Sequence, residues 1–537
     1  MKQDNAKARL RILGGVMALF LVILAGLLLY ALTSGLFGSD TADTLPRSAG
    51  QDELTMRDDL WPDMDSLYKA WDLSFEQANG QAVRLSAYRG KPLALAYWNS
   101  WCPDCKSMIG MADQAANAAR AAGGQLILVA RGGVREETAQ SAAMYLASIG
   151  MAQPTLLDPD AGGYTQLGLH WVPTVLYFDA SGVLMYADTG GDLSPAAVRA
   201  GLAYAQRGGR EATEALVRNQ LMDAQGRVAG AFTLGADSAV APLDTALSET
   251  QGLMMLYALK AGDQTLFDLA YGYVRDGLSL ANLAAWRRDG QTLADTNATL
   301  DDLRIAGALY DANEHWGGYE AQLRGRTEAM AARLIQDDYL LDYTQLGGEQ
   351  SADTMTLCYA DLMTLAKLAS LDNRFAPVEE NAKTLLLGGR ISDEFPLLYP
   401  RYSLQTLQYE AGEIHTAEAM LALLHLAQAD LLPEDTIVFL TDWVRGGPLF
   451  ARYSVQGEAL SGYVYESTAT YAILVILGCE TNHPALVKAA LYRMERFRRM
   501  LNGAYAYEGE NATFDTLYAL LAWQALEDCG FQASLRE

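Results

Sequence analysis

Cysteine and histidine are scarce in this 537-residue chain, with five of each. Five cysteines are too few for a disulfide-scaffolded mini-protein, and the odd number leaves at least one thiol without a partner inside the chain. The histidines (His170, His315, His415, His425 and His483) are scattered and never paired at metal-ligand spacing, which argues against a zinc enzyme. Basic residues are also short, 40 against 65 acidic ones, for a formal net charge of −25. A chain without a basic face to displace phosphate counterions is a poor partner for nucleic acid. Half of the residues are hydrophobic, which excludes a mainly disordered protein, and the length allows roughly three globular units. No residue pattern asks for a cofactor.

One long apolar run is present. From Ile12 to Ser39 there is no charged residue, and about 20 apolar residues at about 1.5 Å each cross a hydrocarbon core of roughly 30 Å. Lys2, Lys7, Arg9 and Arg11 precede the run while Asp40 and Asp43 follow it. The positive-inside rule then puts the N-terminus in the cytoplasm and the rest outside. A cleaved signal peptide is the alternative, but its apolar core is normally shorter. Residues 1–38 are therefore expected to be a cytoplasmic stub and single-pass anchor of the cell membrane, contacting it through 12–38. The polar, acidic residues 39–64 that follow are expected to be a linker.

Residues 65–207 alternate short β-rich runs (93–99, 125–130, 174–178, 183–187) with helical ones (103–122, 136–149, 194–205), the pattern of an α/β domain. At the end of the first central run stands Trp101-Cys102-Pro103-Asp104-Cys105. A cysteine delivered to a helix N-terminus has its thiolate favoured by the dipole, Pro103 suits the first turn, and a second cysteine one turn on can resolve a mixed disulfide. Two structural cysteines or half a zinc site are the competing explanation. With the later Val172-Pro173-Thr174, this segment resembles the thioredoxin superfamily, in particular its membrane-tethered TlpA/ResA-type members. That resemblance implies Cys102 as attacking thiol, Cys105 as resolving thiol, a cis Pro173 beside them, and a thiol or disulfide protein client.

After a linker and lead-in segment (208–242), residues 243–537 read as amphipathic helices in pairs: 246–260 and 263–277, 299–315 and 317–336, 353–370 and 374–387, 401–410 and 414–428, 433–444 and 467–479, 484–500 and 513–527. Twelve helices in antiparallel pairs suit an all-α (α/α)6 barrel. A repeat solenoid is the plainer option, but no fixed period is present and the irregular inserts argue against it. The chain is thus expected to be multidomain: a transmembrane helix, an α/β thioredoxin-like domain and the helical barrel.

Ser248-Glu249-Thr250-Gln251-Gly252 heads the first barrel helix, and Ala298-Thr299-Leu300-Asp301-Asp302-Leu303-Arg304-Ile305-Ala306 heads the third and opens a stretch that runs on to Trp316. Both resemble glycoside hydrolase family 8, a six-hairpin glycosidase family of β-glycanases. The resemblance implies Glu249 as general acid. Burial among apolar residues and other acids raises a carboxyl pKa enough to donate a proton at neutral pH, whereas a Ser248 cap and a Glu249 that only complements the dipole would be the structural explanation. Asp302 falls on the second aspartate of the family signature, while Leu300 replaces the first, so Asp301 is the candidate to take over its place. The base is expected at the head of a later inner helix, where Glu418 and Glu466 compete. Inverting enzymes place acid and base about 6.5–9.5 Å apart to admit a water.

The aromatic-rich inserts suit a polysaccharide, since sugar C–H faces pack on rings; Trp316 is an expected substrate contact, and the run Tyr399-Pro400-Arg401-Tyr402-Ser403 resembles a substrate-contacting segment of the family, which implies Arg401 and Tyr402 as further contacts. Cys358, Cys479 and Cys529 lie on apolar helical stretches and are expected in the core, although a Cys479–Cys529 bridge is compatible with an extracytoplasmic site. The resulting expectation is a membrane-anchored extracytoplasmic endo-β-glycanase acting by inversion, fused to a thiol-disulfide oxidoreductase domain, with a role in exopolysaccharide production or trimming. Two alternatives share the sequence: a glycan-binding pseudoenzyme, or a barrel that docks a protein client while only the dithiol is catalytic.

Overall fold

The structure is a computed structural model and describes residues 64–531. The expected anchor, and the linker up to residue 63, lie outside the described residues. Among the described residues no helix is long and apolar enough to cross a membrane.

The α/β domain is built on seven strands: β1 (Ser74–Glu76), β2 (Ala82–Arg84), β3 (Leu93–Trp98), β4 (Gln125–Arg131), β5 (Thr155–Asp158), β6 (Thr174–Phe178) and β7 (Leu184–Asp188), in the order β2-β1-β5-β4-β3-β6-β7. The pairs β3–β4 and β4–β5 are parallel, and β3–β6 and β6–β7 antiparallel. Every residue of β3 is buried, as a central strand covered on both faces requires. Helices α1 (Pro103–Ile109), α2 (Ala112–Ala121), α3 (Ala139–Ser148), α4 (Gly162–Gln166) and α5 (Pro195–Arg207) cover the sheet. The expected helix over 103–122 is broken at Gly110-Met111 into α1 and α2. At Gly201 in α5 a Cβ would stand 2.2 Å from the Tyr177 ring, so only glycine lets this helix lie on β6.

The second half is a barrel of helix pairs. Its inner helices are α7 (Ser248–Lys260), α9 (Thr299–Trp316), α11 (Leu362–Leu371), α13 (Thr416–Gln428), α15 (Thr468–Glu480) and α17 (Thr513–Asp528). Each packs on the next, and α17 returns to α7 to close the ring. The outer layer is α6 (Arg210–Leu216), α8 (Gln264–Tyr273), α10 (Glu320–Arg333), α12 (Phe375–Gly388), α14 (Glu434–Gly446) and α16 (Pro484–Glu495). The two layers differ as their environments demand. In α15 nearly every side chain is buried, whereas α10 buries Leu323, Arg326, Thr327, Met330 and Ala331, a single stripe at helical spacing.

Two expectations are corrected. Residues 401–410 are not a helix: Arg401–Ser403 and Gln408–Glu410 form a hairpin in which Tyr402 faces Tyr409, paired on the other side with Thr354–Thr356. Tyrosines directly opposite one another favour such a ladder. The missing outer helix is α6, inside the segment expected to be a linker. Residues 208–242 are part of the barrel, because α6 packs on α17 and strand Ala231–Leu234 pairs with Gly509–Ala512.

The α/β domain is fastened to the barrel through aromatic rings and a cation–π contact, with the Arg498 guanidinium 5.2 Å from the centre of the Tyr204 ring. Tyr204 of α5 meets Trp523 of α17 edge-on at 5.8 Å, and Tyr68 meets Phe531 at 6.5 Å. Buried Arg498 donates to the Gly209 carbonyl at 3.1 Å and to the Tyr505 hydroxyl at 3.1 Å, while Tyr505 donates to buried Glu495 at 2.5 Å.

Candidate active sites

In the α/β domain, Cys102 is the N-cap of α1 and Cys105 lies one turn inside it, and the two are joined as a disulfide. The Cys102 sulfur accepts from the Cys105 backbone N–H at 3.2 Å and lies 3.7 Å from the Val172 carbonyl oxygen. The Val172–Pro173 peptide is cis, as the resemblance implies. Just before the motif, the Glu137 carboxylate accepts from the Ser100 backbone N–H at 3.0 Å and the Ser100 hydroxyl at 2.9 Å, fixing the turn that presents Trp101 and Cys102. Glu137 also accepts from Asn99, 38 residues away, and from the Ser141 hydroxyl, and no motif in the sequence marks it.

In the barrel, the N-terminal turns of α7, α9, α13 and α17 meet at one end. Glu249 sits in the first turn of α7. Its neighbour Ser248 is not a cap: α7 has no side-chain cap, and the Ser248 hydroxyl donates across to Asp301 of α9 at 2.5 Å. Arg304, three residues along α9, donates to Asp301 at 2.9 Å and to the Tyr518 hydroxyl of α17 at 3.1 Å, and its guanidinium is 3.6 Å from Glu249. Gly252 makes this approach close enough, since a Cβ there would lie 3.3 Å from that of Arg304.

The Glu249 carboxyl is pushed up to about 7, first by burial and then by the charge of Asp301, with a smaller push from Glu418 and an opposing pull from Arg304. Its side chain keeps 31% exposure, so a ligand can reach it. Burial likewise raises Asp301 and holds the Tyr518 hydroxyl up at about 12. Arg304, almost fully buried between two carboxylates, stays charged.

Asp301 and Asp302, adjacent on a helix, point different ways. Asp301 faces Glu249. Asp302 is fully buried on the other side, where it accepts from Arg326, from Asn297 Nδ2 at 2.8 Å and from the Ala284 backbone N–H at 3.0 Å. Burial lifts its carboxyl to about 6, with Arg326 pulling it back. Asp302 is therefore a clamp on the 284–297 insert rather than a group in the cleft.

The two candidate bases differ in setting. Glu418, in the first turn of α13, has a side chain 48% exposed, 3.8 Å from the His415 ring, and borders a depression lined by Cys358, Tyr399 and Pro400. Glu466 is 3% exposed, and Tyr471 donates to its carboxylate. Arg401 is exposed on the hairpin strand beside the depression, and Tyr402 lies beneath it, buried against Tyr339 and Tyr409. Trp316 is not brought to this end. It closes the far end of α9, roughly 22 Å from Asp301 at about 1.5 Å per residue, and packs edge-on against Phe267. Sequence reasoning did not single out Arg304, Tyr359 or Tyr518. Tyr359, half-buried, has its hydroxyl pKa raised by burial and by nearby acids that include Asp301 and Glu418. Among the described residues no cluster of three or more His, Cys, Asp or Glu could hold a metal ion.

The clamp makes a separable prediction. Asp302→Ala leaves the Arg326 guanidinium, 3% exposed, without its carboxylate, and should cost about 3–5 kcal/mol of stability in denaturant unfolding of the full chain. A loss below about 1 kcal/mol would contradict the clamp.

Comparison with known proteins agrees with this geometry. Residues 68–187 match the AhpC/TSA family and residues 218–345 match the glycosyl hydrolases family 8. The putative lipoprotein YdaJ of Bacillus subtilis (strain 168) is 26% identical over 295 residues, covering 52% of this chain and 79% of that protein. The solved structure of a novel alpha-amylase from Clostridium perfringens aligns with TM-score 0.52 and 25% identity, over 58% of this chain and 96% of its own. The endo-beta-1,4-glucanase CMCax of Acetobacter xylinum aligns more loosely, with TM-score 0.44 and 18% identity, over 60% of this chain and 99% of its own. The barrel that holds the 218–345 match continues beyond it through α17, so the chain joins a thioredoxin-like domain to a barrel that resembles the family 8 glycosyl hydrolases.

Proposed function

We propose that the barrel hydrolyses a β-linked polysaccharide by inversion, with Glu249 as general acid and Glu418 as general base. The observation that carries this reading is the raised pKa of a partly exposed Glu249 beside Asp301 and Glu418. Glu249 gives its proton to the glycosidic oxygen as the bond to the anomeric carbon breaks. A water attacks that carbon from the opposite face, and Glu418 takes the water's proton. Glu418 is favoured over Glu466 because it is open to solvent, where the water must arrive, whereas Glu466 lies under Tyr471. Asp301 raises the acid's pKa and, held by Ser248 and Arg304, keeps its orientation. Arg401 would contact sugar hydroxyls at the exposed strand, with Tyr402 supporting the hairpin from beneath.

We further infer attachment to the cell membrane through residues 12–38, with both domains outside the cytoplasm and acting on exopolysaccharide. The uncharged run supports this, and the Bacillus subtilis relative is described as a putative lipoprotein. The thioredoxin-like domain would exchange disulfides through Cys102 as attacking and Cys105 as resolving thiol.

The full chain should release new reducing ends from one of a panel of β-1,4- and mixed-linkage glucans, chitosan and xylan. Starch belongs in the panel because the Clostridium perfringens relative is described as an alpha-amylase, and activity on starch alone would overturn the β-linkage. Glu249→Gln should lower kcat by about 10²–10⁴. Activity should fall as pH rises through about 7, where Glu249 loses its proton. Since the charge of Asp301 raises that pKa, Asp301→Asn should move the alkaline limb to lower pH. Glycan binding with no cleavage would favour a pseudoenzyme. For the dithiol, Cys105→Ser should accumulate a mixed disulfide between Cys102 and a client, and an empty trap would remove the exchange role.

A further inference from the structure

We infer that Cys479 and Cys529 are joined by a disulfide that ties together the far ends of two neighbouring inner helices. Cys479 lies in the last turn of α15, and Cys529 immediately follows α17. Their sulfurs are 2.7 Å apart, against about 2.05 Å in a bond. The helices that carry them pack along their length, so the approach is set by the barrel and not by a loose tail. Both backbones are already held. The Cys529 N–H donates to the Ala525 carbonyl at 2.9 Å, and the Cys479 carbonyl accepts from Asn482 at 3.2 Å. Bond formation then needs only a small side-chain adjustment.

The other cysteines do not compete for this pairing. Cys102 and Cys105 are bonded to each other, and Cys358 is buried beside the depression at the opposite end of the barrel. Cys529 is exposed and Cys479 partly covered, so Cys529 is the sulfur an oxidant meets first. Its thiolate attacks a disulfide of a protein or low-molecular-weight carrier, expelling one carrier thiolate. The Cys479 thiolate then attacks the Cys529 sulfur of that mixed disulfide and expels the second. The two electrons and, by exchange with solvent, the two thiol protons end on the carrier, which leaves as a dithiol or, for a low-molecular-weight carrier, as two thiols.

The cross-link would close a segment spanning 50 positions. That segment holds Arg498, whose guanidinium stands 5.2 Å from the ring of Tyr204 in the thioredoxin-like domain. A disulfide there would therefore secure the part of the barrel that bears the other domain. It would persist only outside a reducing cytoplasm.

The test uses the purified full chain equilibrated with excess oxidised glutathione, then denatured, alkylated and digested. Mass spectrometry should find the Cys479 and Cys529 peptides linked, and alkylated or separately glutathionylated cysteines at both positions would overturn the proposal. A second measurement isolates the bond from the active-site dithiol. In the Cys102→Ser/Cys105→Ser variant, a reductant should lower the melting temperature by at least about 5 °C. Adding Cys479→Ser should abolish that drop. A melting temperature indifferent to reductant in the double variant would likewise overturn it.

Discussion

The barrel's chemistry depends on one conflict: a carboxyl group placed where a helix favours its charge, yet buried beside a second carboxylate. The dipole at the start of α7 favours ionised Glu249 by about 0.3–1 kcal/mol. The shift of that carboxyl from 4.5 to about 7 corresponds to at most about 3 kcal/mol in the other direction, less what its 31% exposure returns. Burial and Asp301 therefore win. Arg304 limits the outcome, because without it two acids and no cation would share the cleft. The same guanidinium reaches Tyr518, so three of the inner helices are held near their N-terminal ends by one buried charge.

That arrangement explains why the rest of the barrel is built as it is. Gly252 is small because α9 must come close enough for Arg304 to stand between Asp301 and Glu249. Ser248 spends its hydroxyl on the neighbouring helix instead of on its own N-terminus. Asp302 turns away to hold Arg326 and the backbone at Ala284. In the thioredoxin-like domain the same logic is local. Glu137 holds Ser100, the cis Pro173 sits beside the cysteines, and the helix start presents Cys102. The two sites lie in different domains that meet through buried aromatic rings and the Arg498 guanidinium over Tyr204.

Much of this was legible in the chain. Trp101–Cys105, Val172–Thr174 and Ser248–Gly252 are short contiguous motifs, and the resemblance to the two families rests on them. What was misread depends on contacts that spacing does not encode. Residues 401–410 have no marker of strand besides Tyr402 and Tyr409, and their pairing becomes evident only once the hairpin and the 354–356 strand are together. Helix α6 follows Gly208-Gly209 and is polar, so it reads as linker until its packing on α17 is seen. The choice between Asp301 and Asp302 turns on rotation about the α9 axis, since adjacent residues differ by roughly a quarter turn. Glu418 and Glu466 both head helices, and only burial separates an open carboxylate from one covered by Tyr471.

The most direct test is a titration of the Glu249 carboxyl itself. Carbon-13 carboxyl spectra of the labelled full chain, with Glu249→Gln subtracted to identify the resonance, should show a midpoint close to 7. A midpoint at the ordinary glutamate value of about 4.3 would mean that the acid is ionised whenever the substrate arrives, and the account of the cleft would fail.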